Sequence, residues 1–146
     1  MLSRFKPLSD SEIDRMEKEF HISLPGDYRM FLKETGGGVV EKDNANRYII
    51  PGINEEISVD VLFGADEEID DSSTIFYWMH EYQDELLRGA LIIGDDLMQG
   101  FLVLICDGDD KGVYYWDDAY HFVSSDDENN MYKIADSFQD FIERIG

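Results

Sequence analysis

Positive charge is scarce in this chain, and the scarcity is local. The 146 residues hold 33 Asp and Glu against 12 Lys and Arg, a formal net charge of -21. Residues 48–132 carry 21 acids and only two bases, Arg88 and Lys111, whereas residues 1–47 carry nine acids against eight bases and residues 133–146 three against two. A field of that sign repels phosphate polymers and anionic lipid and attracts basic partners, so neither direct nucleic-acid binding nor membrane binding is expected. Cysteine is nearly absent: the single Cys106 excludes an internal disulfide and a cysteine-rich zinc cage. His21, His80 and His121 are scattered, with no HxxxH or HxH spacing to build a metal centre. No run of 18 apolar residues occurs, and the opening MLSRFKPLSD lacks the apolar segment of a secretory signal, which makes a cytoplasmic location the expectation. There are no internal repeats and no linker-like stretch.

Apolar residues, by contrast, are plentiful. They form 43% of the chain, with nine Phe, eight Tyr and two Trp, enough to pack a core despite the charge. A chain of this length is a natural single domain that buries roughly 68–70% of its unfolded surface. Ser9 with Glu12 forms a capping-box pattern, and Ile13, Met16 and Phe20 follow at helical spacing, so residues 10–20 read as a helix. Pro25 opens a second helix, Tyr28, Phe31 and Leu32 face inward from it, and Gly36-Gly37-Gly38 ends it. Beyond the glycines the period shifts from 3.6 to 2. Residues 47–50 and 57–63 read as strands, and residues 65–71 as an acidic loop. Asp71 or Ser72 is a candidate cap for a third helix through 74–82. Residues 90–94, 101–106 and 112–116 are strands of an antiparallel meander, with 120–123 a candidate fourth. A last helix near Asp136 carries Ile134, Phe138, Phe141, Ile142 and Ile145 on one stripe. The class expected is α+β: one domain, a central antiparallel or mixed sheet, two N-terminal helices, a middle helix and a C-terminal helix.

ICDGDDKGVYYWDD places Asp107, Asp109, Gly112 and Asp118 at positions 1, 3, 6 and 12 of a calcium-loop pattern. Lys111 stands at position 5, where a ligand oxygen is needed, and Asp118 is too short for the usual bidentate Glu. Strands rather than helices flank the loop. A hairpin turn explains the same letters, with glycines for positive φ and aspartates tolerant of turn geometry. Asp95 and Asp96 are adjacent on a strand end and point to opposite faces, so they are poorly placed to share a proton. Cys106 sits in an apolar strand and reads as a core thiol. The glycine triplet leads into Val39-Val40, not into a helix, so it is no phosphate cradle. No active site, metal site or cofactor site is expected.

Two stretches carry a family resemblance. SEIDRMEKEFHISLPGDYRMFLKETGGG is an amphipathic helix, a Leu-Pro, a Tyr-Arg-x-Phe-Leu helix and a glycine stop. LIIGDDLMQGFLVLICDGDDKGVYYWDD is Ile-Gly-Asp, a later glycine, an apolar strand and a Val-Tyr-Tyr-Trp strand, and a DSFQDFIERI helix completes the order. Together they resemble the SUKH superfamily, whose bacterial members are largely immunity proteins against polymorphic toxins and which also includes yeast regulators of cell-wall synthesis. The resemblance spans about residues 9–145. It implies mostly structural roles: Leu24 and Pro25 set the second helix, Gly94 and Asp95 shape a turn, Gly100 starts the next strand, and Tyr114 and Trp116 fill one sheet face. The acidic stretch 65–71 has no counterpart in that pattern.

The resemblance therefore implies a non-catalytic protein that binds and neutralises a cognate toxin. The charge adds the sign of the partner, since a nuclease-type toxin presents Lys and Arg to phosphate and an acidic surface can occupy them. The contact is expected from Glu67, Glu68, Asp70, Asp71, Asp95, Asp96, Asp107, Asp109, Asp110, Asp117 and Asp118. Tyr115 alternates away from Tyr114 and Trp116 and is expected to offer an aromatic to the partner. The alternative is an intracellular scaffold or regulatory adaptor of the same fold. Oligomeric state is open.

Overall fold

A computed structural model describes residues 2–42, 46–66 and 68–145. Helix α1 (Asp10–Phe20) starts where the capping box is written: Ser9 Oγ accepts from the Glu12 amide at 3.2 Å, and the Glu12 carboxylate accepts from the Ser9 amide at 3.0 Å. Those hydrogen bonds hold the Glu12 carboxyl below the usual carboxylate range. Helix α2 (Gly26–Thr35) follows Pro25 and lies against α1, where Arg29 donates to Asp14 at 2.8 Å and to Glu17 at 2.9 Å. It ends at Gly36, whose φ of 70° is left-handed. A Cβ at Gly36 would stand 1.9 Å from the Lys6 carbonyl oxygen, so only glycine fits this crossing.

The strands are β1 (Leu2–Arg4), β2 (Gly38–Val40), β3 (Arg47–Ile50), β4 (Glu55–Leu62), β5 (Ala90–Asp96), β6 (Phe101–Ile105), β7 (Gly112–Trp116) and β8 (Met131–Ala135). They form one antiparallel sheet in the order β1-β2-β4-β5-β6-β7-β8, with β3 also paired to β4. Helix α3 (Ile75–Tyr82) packs on β5, and helix α4 (Phe138–Ile145) packs on α2, β3, β7 and β8. This is the α+β, four-helix architecture expected from the sequence.

Three details differ from the expectation. The fourth meander strand is β8, and residues 120–123 lie in a turn-rich segment before it. Ile134 accordingly belongs to β8, not to the stripe of the last helix. The cap of α3 is Thr74, whose Oγ1 accepts from the Tyr77 amide at 3.3 Å, while Asp71–Ser73 form a short 3-10 turn ahead of it. Strands β1 and β2, three residues each, are too short for periodicity to register.

Two aromatic groups tie helices to the rest of the fold. Phe138 of α4 meets Tyr28 and Phe31 of α2 at 4.9 and 4.8 Å between ring centroids. Trp78 and Tyr82 of α3 meet Phe101 of β6 at 4.9 and 5.4 Å, and Tyr82 meets Trp116 of β7 at 5.5 Å. The register also fixes two ends. Because β5, β6 and β7 are successive antiparallel neighbours, the 97–100 turn and the 117–130 segment share one end of the sheet, and the 106–111 turn occupies the other.

Candidate functional site

The end bearing the 97–100 turn holds a cleft of about 410 Å³ lined by Trp78, Tyr82, Phe101, Asp95, Gln99 and Asp118. Each wall has a local cause. Phe76, Trp78 and Tyr82 do not share one helical stripe, so α3 buries Ile75 and Met79 and turns Trp78 and Tyr82 sideways onto Phe101. Asp95 arrives through a bulge. Between the pairs Val59–Asp96 and Leu62–Gly94, β4 spends one residue more than β5. The Val61 amide displaced by that bulge donates to Asp95 Oδ1 at 3.0 Å. Gly94 gives this crossing its room, since a Cβ there would lie 2.7 Å from the Val61 carbonyl oxygen.

Burial pushes the Asp95 carboxyl up to about 7, aided by Asp60 and Asp96 and opposed by the Val61 amide and Lys42. Burial also raises Asp118, with the neighbouring Asp117 as the second cause. Two half-buried carboxylates thus face an aromatic-walled cleft with their charged forms incompletely solvated. Such an arrangement suits a cationic ligand better than an anionic one.

The expected contact residues fall into separate groups. Asp95 and Asp118 meet in the cleft. Asp96, Asp117 and Tyr115 do not reach any partner: they are 3%, 0% and 0% exposed. Tyr115 donates from its hydroxyl to Asp96 Oδ1 at 3.0 Å, an oxygen that also accepts from the Gly100 amide at 2.9 Å. Gly100 is required there because a Cβ would stand 2.0 Å from the tyrosine oxygen. The exposed-aromatic expectation fails because both faces of β7 are covered. Trp116 lies under α3, and Tyr115 lies under Phe122 of the 117–130 segment, with centroids 5.5 Å apart. Tyr114 is the half-exposed member of the strand, and its hydroxyl donates to the Asp110 carbonyl at 2.6 Å.

Asp117 is the organiser of that covering segment. Oδ1 accepts from the His121 amide at 2.9 Å, and Oδ2 accepts from the Phe122 amide at 2.9 Å and from Ser125 Oγ at 2.5 Å. Asp107, Asp109 and Asp110 are exposed on the 106–111 turn, at the far end of the sheet. Glu68, Asp70 and Asp71 are exposed ahead of α3, and Glu68 shares a cleft with Lys6 and Arg15 of the N-terminal region. Glu67 lies outside the described residues.

Charge pairing follows the same division. Among the described residues, ion pairs join Arg29 and Lys33 to Asp10, Arg29 to Asp14 and Glu17, Lys42 to Asp60, Arg47 to Glu56, and Lys133 to Asp136. His80 lies 3.0 Å from Glu19. No described carboxylate between residues 61 and 132 has a cation within 4 Å. The aromatic walls of the cleft have no assigned role in the sequence reading, where Trp78 and Tyr82 stand only as members of the third helix. The pairing of Trp78 with Tyr82 at a four-residue interval was the available signal.

Among the described residues no group of three or more His, Cys, Asp or Glu side chains could hold a metal ion, and no helix is long and apolar enough to cross a membrane. Compared with known families, residues 7–144 match the model described as SMI1 / KNR4 family (SUKH-1). No curated protein matches the chain.

Proposed function

The chain belongs to the SMI1 / KNR4 family (SUKH-1), and we propose that it is an immunity protein that captures and neutralises a toxin with a basic, nuclease-like catalytic domain. Membership makes an immunity-type role the natural one, since bacterial proteins of this kind largely serve it. The observation that carries the finer reading is the uncompensated charge. The described carboxylates between residues 61 and 132 have no ion-pair partner among the described residues, while most of the acids balanced by Lys and Arg lie in the N-terminal helices and β4.

Surface charges within a Debye length of about 8 Å at physiological salt act together on an approaching partner. A basic toxin face would be steered toward them, with association approaching about 10⁸–10⁹ M⁻¹s⁻¹ at low salt. Capture would also deny the toxin's cations to phosphate, so inhibition needs no chemistry from the immunity protein.

The test is co-expression with the toxin domain encoded beside this gene, followed by cell survival and isolation of the complex. Survival that depends on this chain, with an association rate that falls steeply as salt rises, is the expected result. A toxin that is neither bound nor neutralised defeats the reading. Equal association rates at low and high salt defeat its electrostatic half.

A further inference from the structure

We propose that the cleft between α3 and the 97–100 turn is a receptor for one arginine side chain of the basic partner, its guanidinium stacked on Trp78 and Tyr82 and held by Asp95 and Asp118. This inference rests on the reading above and deepens it, by choosing one contact among several acidic regions.

The choice follows from how the three regions differ. The 106–111 turn is an exposed acidic tip with no described concavity holding its three carboxylates, so charges there remain hydrated and contribute weakly. The Glu68 region lies beside Lys6 and Arg15, whose positive charge opposes a cationic ligand. A further concavity, lined by Glu19, Asp66, Asp71, Phe76 and Tyr77, also joins aromatics to carboxylates but includes Arg15 and His80, whereas the cleft sets two half-buried carboxylates among aromatic walls with no basic residue in its lining. Asp95 is already held in place by the Val61 amide, so little ordering is needed when a ligand arrives, and that hydrogen bond occupies only Oδ1.

The chemistry selects arginine over lysine. A planar guanidinium stacks on an aromatic face while its fork of N–H donors reaches a carboxylate, whereas an ammonium is a compact and strongly hydrated point charge. The rim supports a protein partner over a small free cation. Leu97 and Met98 are exposed on the same 97–100 turn that brings Gln99 to the cleft. Apolar contacts of that kind around a buried Arg anchor are the usual make-up of an interface centre.

The experiment titrates the intact protein with the blocked peptide Gly-Arg-Gly and with its Gly-Lys-Gly and Gly-citrulline-Gly counterparts, at physiological ionic strength. Backbone amide NMR shifts locate the site, and tryptophan fluorescence reads it, because Trp78 and Trp116 both belong to the aromatic group at the cleft. Saturable shifts at residues of α3 and the 97–100 turn are expected, strongest for arginine and absent for the uncharged citrulline. Asp95→Asn should weaken arginine binding roughly tenfold, the size of a lost charge-assisted contact. Asp118→Asn should act in the same direction, and gives a second variant should the first disturb the bulge. The triple substitution Asp107→Asn, Asp109→Asn, Asp110→Asn at the far end should leave the affinity within about twofold, since those charges lie beyond effective screening distance.

Citrulline binding as tight as arginine, or equal losses from the far-end variant and Asp95→Asn, overturns the proposal. The two readings fail separately. A toxin domain captured equally well by the wild type and by Asp95→Asn overturns the arginine receptor and leaves neutralisation standing. Absence of any toxin capture overturns neutralisation, while the peptide titration still decides what the cleft takes.

Discussion

Asp95 should cost this protein stability at neutral pH, and replacing it with asparagine should return that stability in a pH-dependent way. The carboxyl is raised from 3.8 to about 7, chiefly by burial. A raised carboxyl binds its proton more tightly folded than unfolded, so the penalty is absent below pH 4. It grows as pH climbs through the window between the two values, and is complete above 7. At about 1.4 kcal/mol per pKa unit the full span is about 4 kcal/mol, and partial solvent access reduces the expected figure to about 2 kcal/mol. The asparagine keeps Oδ1 as acceptor for Val61, so the bulge survives. Asp60, Asp96 and Lys42 face Asp95 from β4, from its own strand and from the segment after β2, while Asp118 and Tyr82 face it across the cleft. They remain in both proteins, so the difference reports the loss of the Asp95 carboxyl. Urea unfolding of both proteins between pH 4 and 8, with unchanged m-values, gives the gap directly. It should widen from near zero to about 2 kcal/mol, a melting-temperature difference of about 4–8 °C at pH 8. A constant gap across the range, or a less stable asparagine variant at pH 8, refutes the reasoning. If the same variant is more stable yet binds the arginine peptide more weakly, the residue is held for recognition at the expense of stability.

Other consequences follow from the same end of the sheet. Gly100→Ala forces a methyl against the Tyr115 hydroxyl and should destabilise by about 1–3 kcal/mol in thermal unfolding, whereas Gly52→Ala, with open space around it but a φ of 90°, loses only the backbone term of about 1 kcal/mol. Asp117→Ala strands two amides and a hydroxyl, and should cost about 2–4 kcal/mol in urea unfolding with faster amide exchange confined to residues 117–130. Asp109→Asn on the exposed turn should stay within about 0.5 kcal/mol of wild type in the same measurement. Tyr115→Phe removes one donor from the buried Asp96 carboxylate and should cost about 1 kcal/mol.

Much of the architecture could be read residue by residue. The Ser9–Glu12 box, the Leu-Pro junction, the glycine stop and the 90–116 meander all stand as expected, because caps, turns and alternation are local physics. The misses share a cause. Residues 120–123 look like a strand until Asp117 is seen to take their amides, a bond that pattern alone does not announce. Tyr115 looks exposed by alternation, but alternation assigns a side chain to a face of the sheet and not to solvent, and the 117–130 segment covers that face. Asp96 and Asp117 look like surface acids because carboxylates are rarely buried, and each is an exception sustained by donors from elsewhere in the chain.

Composition and order thus determined the class of fold and the family, since both depend on which residues occur and how they are spaced. Which acids meet at one place on the surface was decided only in three dimensions. A bulge in β4, the turn of α3 and the closing of the 117–130 segment bring Asp95 and Asp118 to two aromatic walls from distant parts of the chain. The same three features bury Asp96 and Asp117 one residue away. Neighbouring carboxylates receive opposite fates because the pleat sends adjacent side chains to opposite faces, and only tertiary packing determines what each face meets.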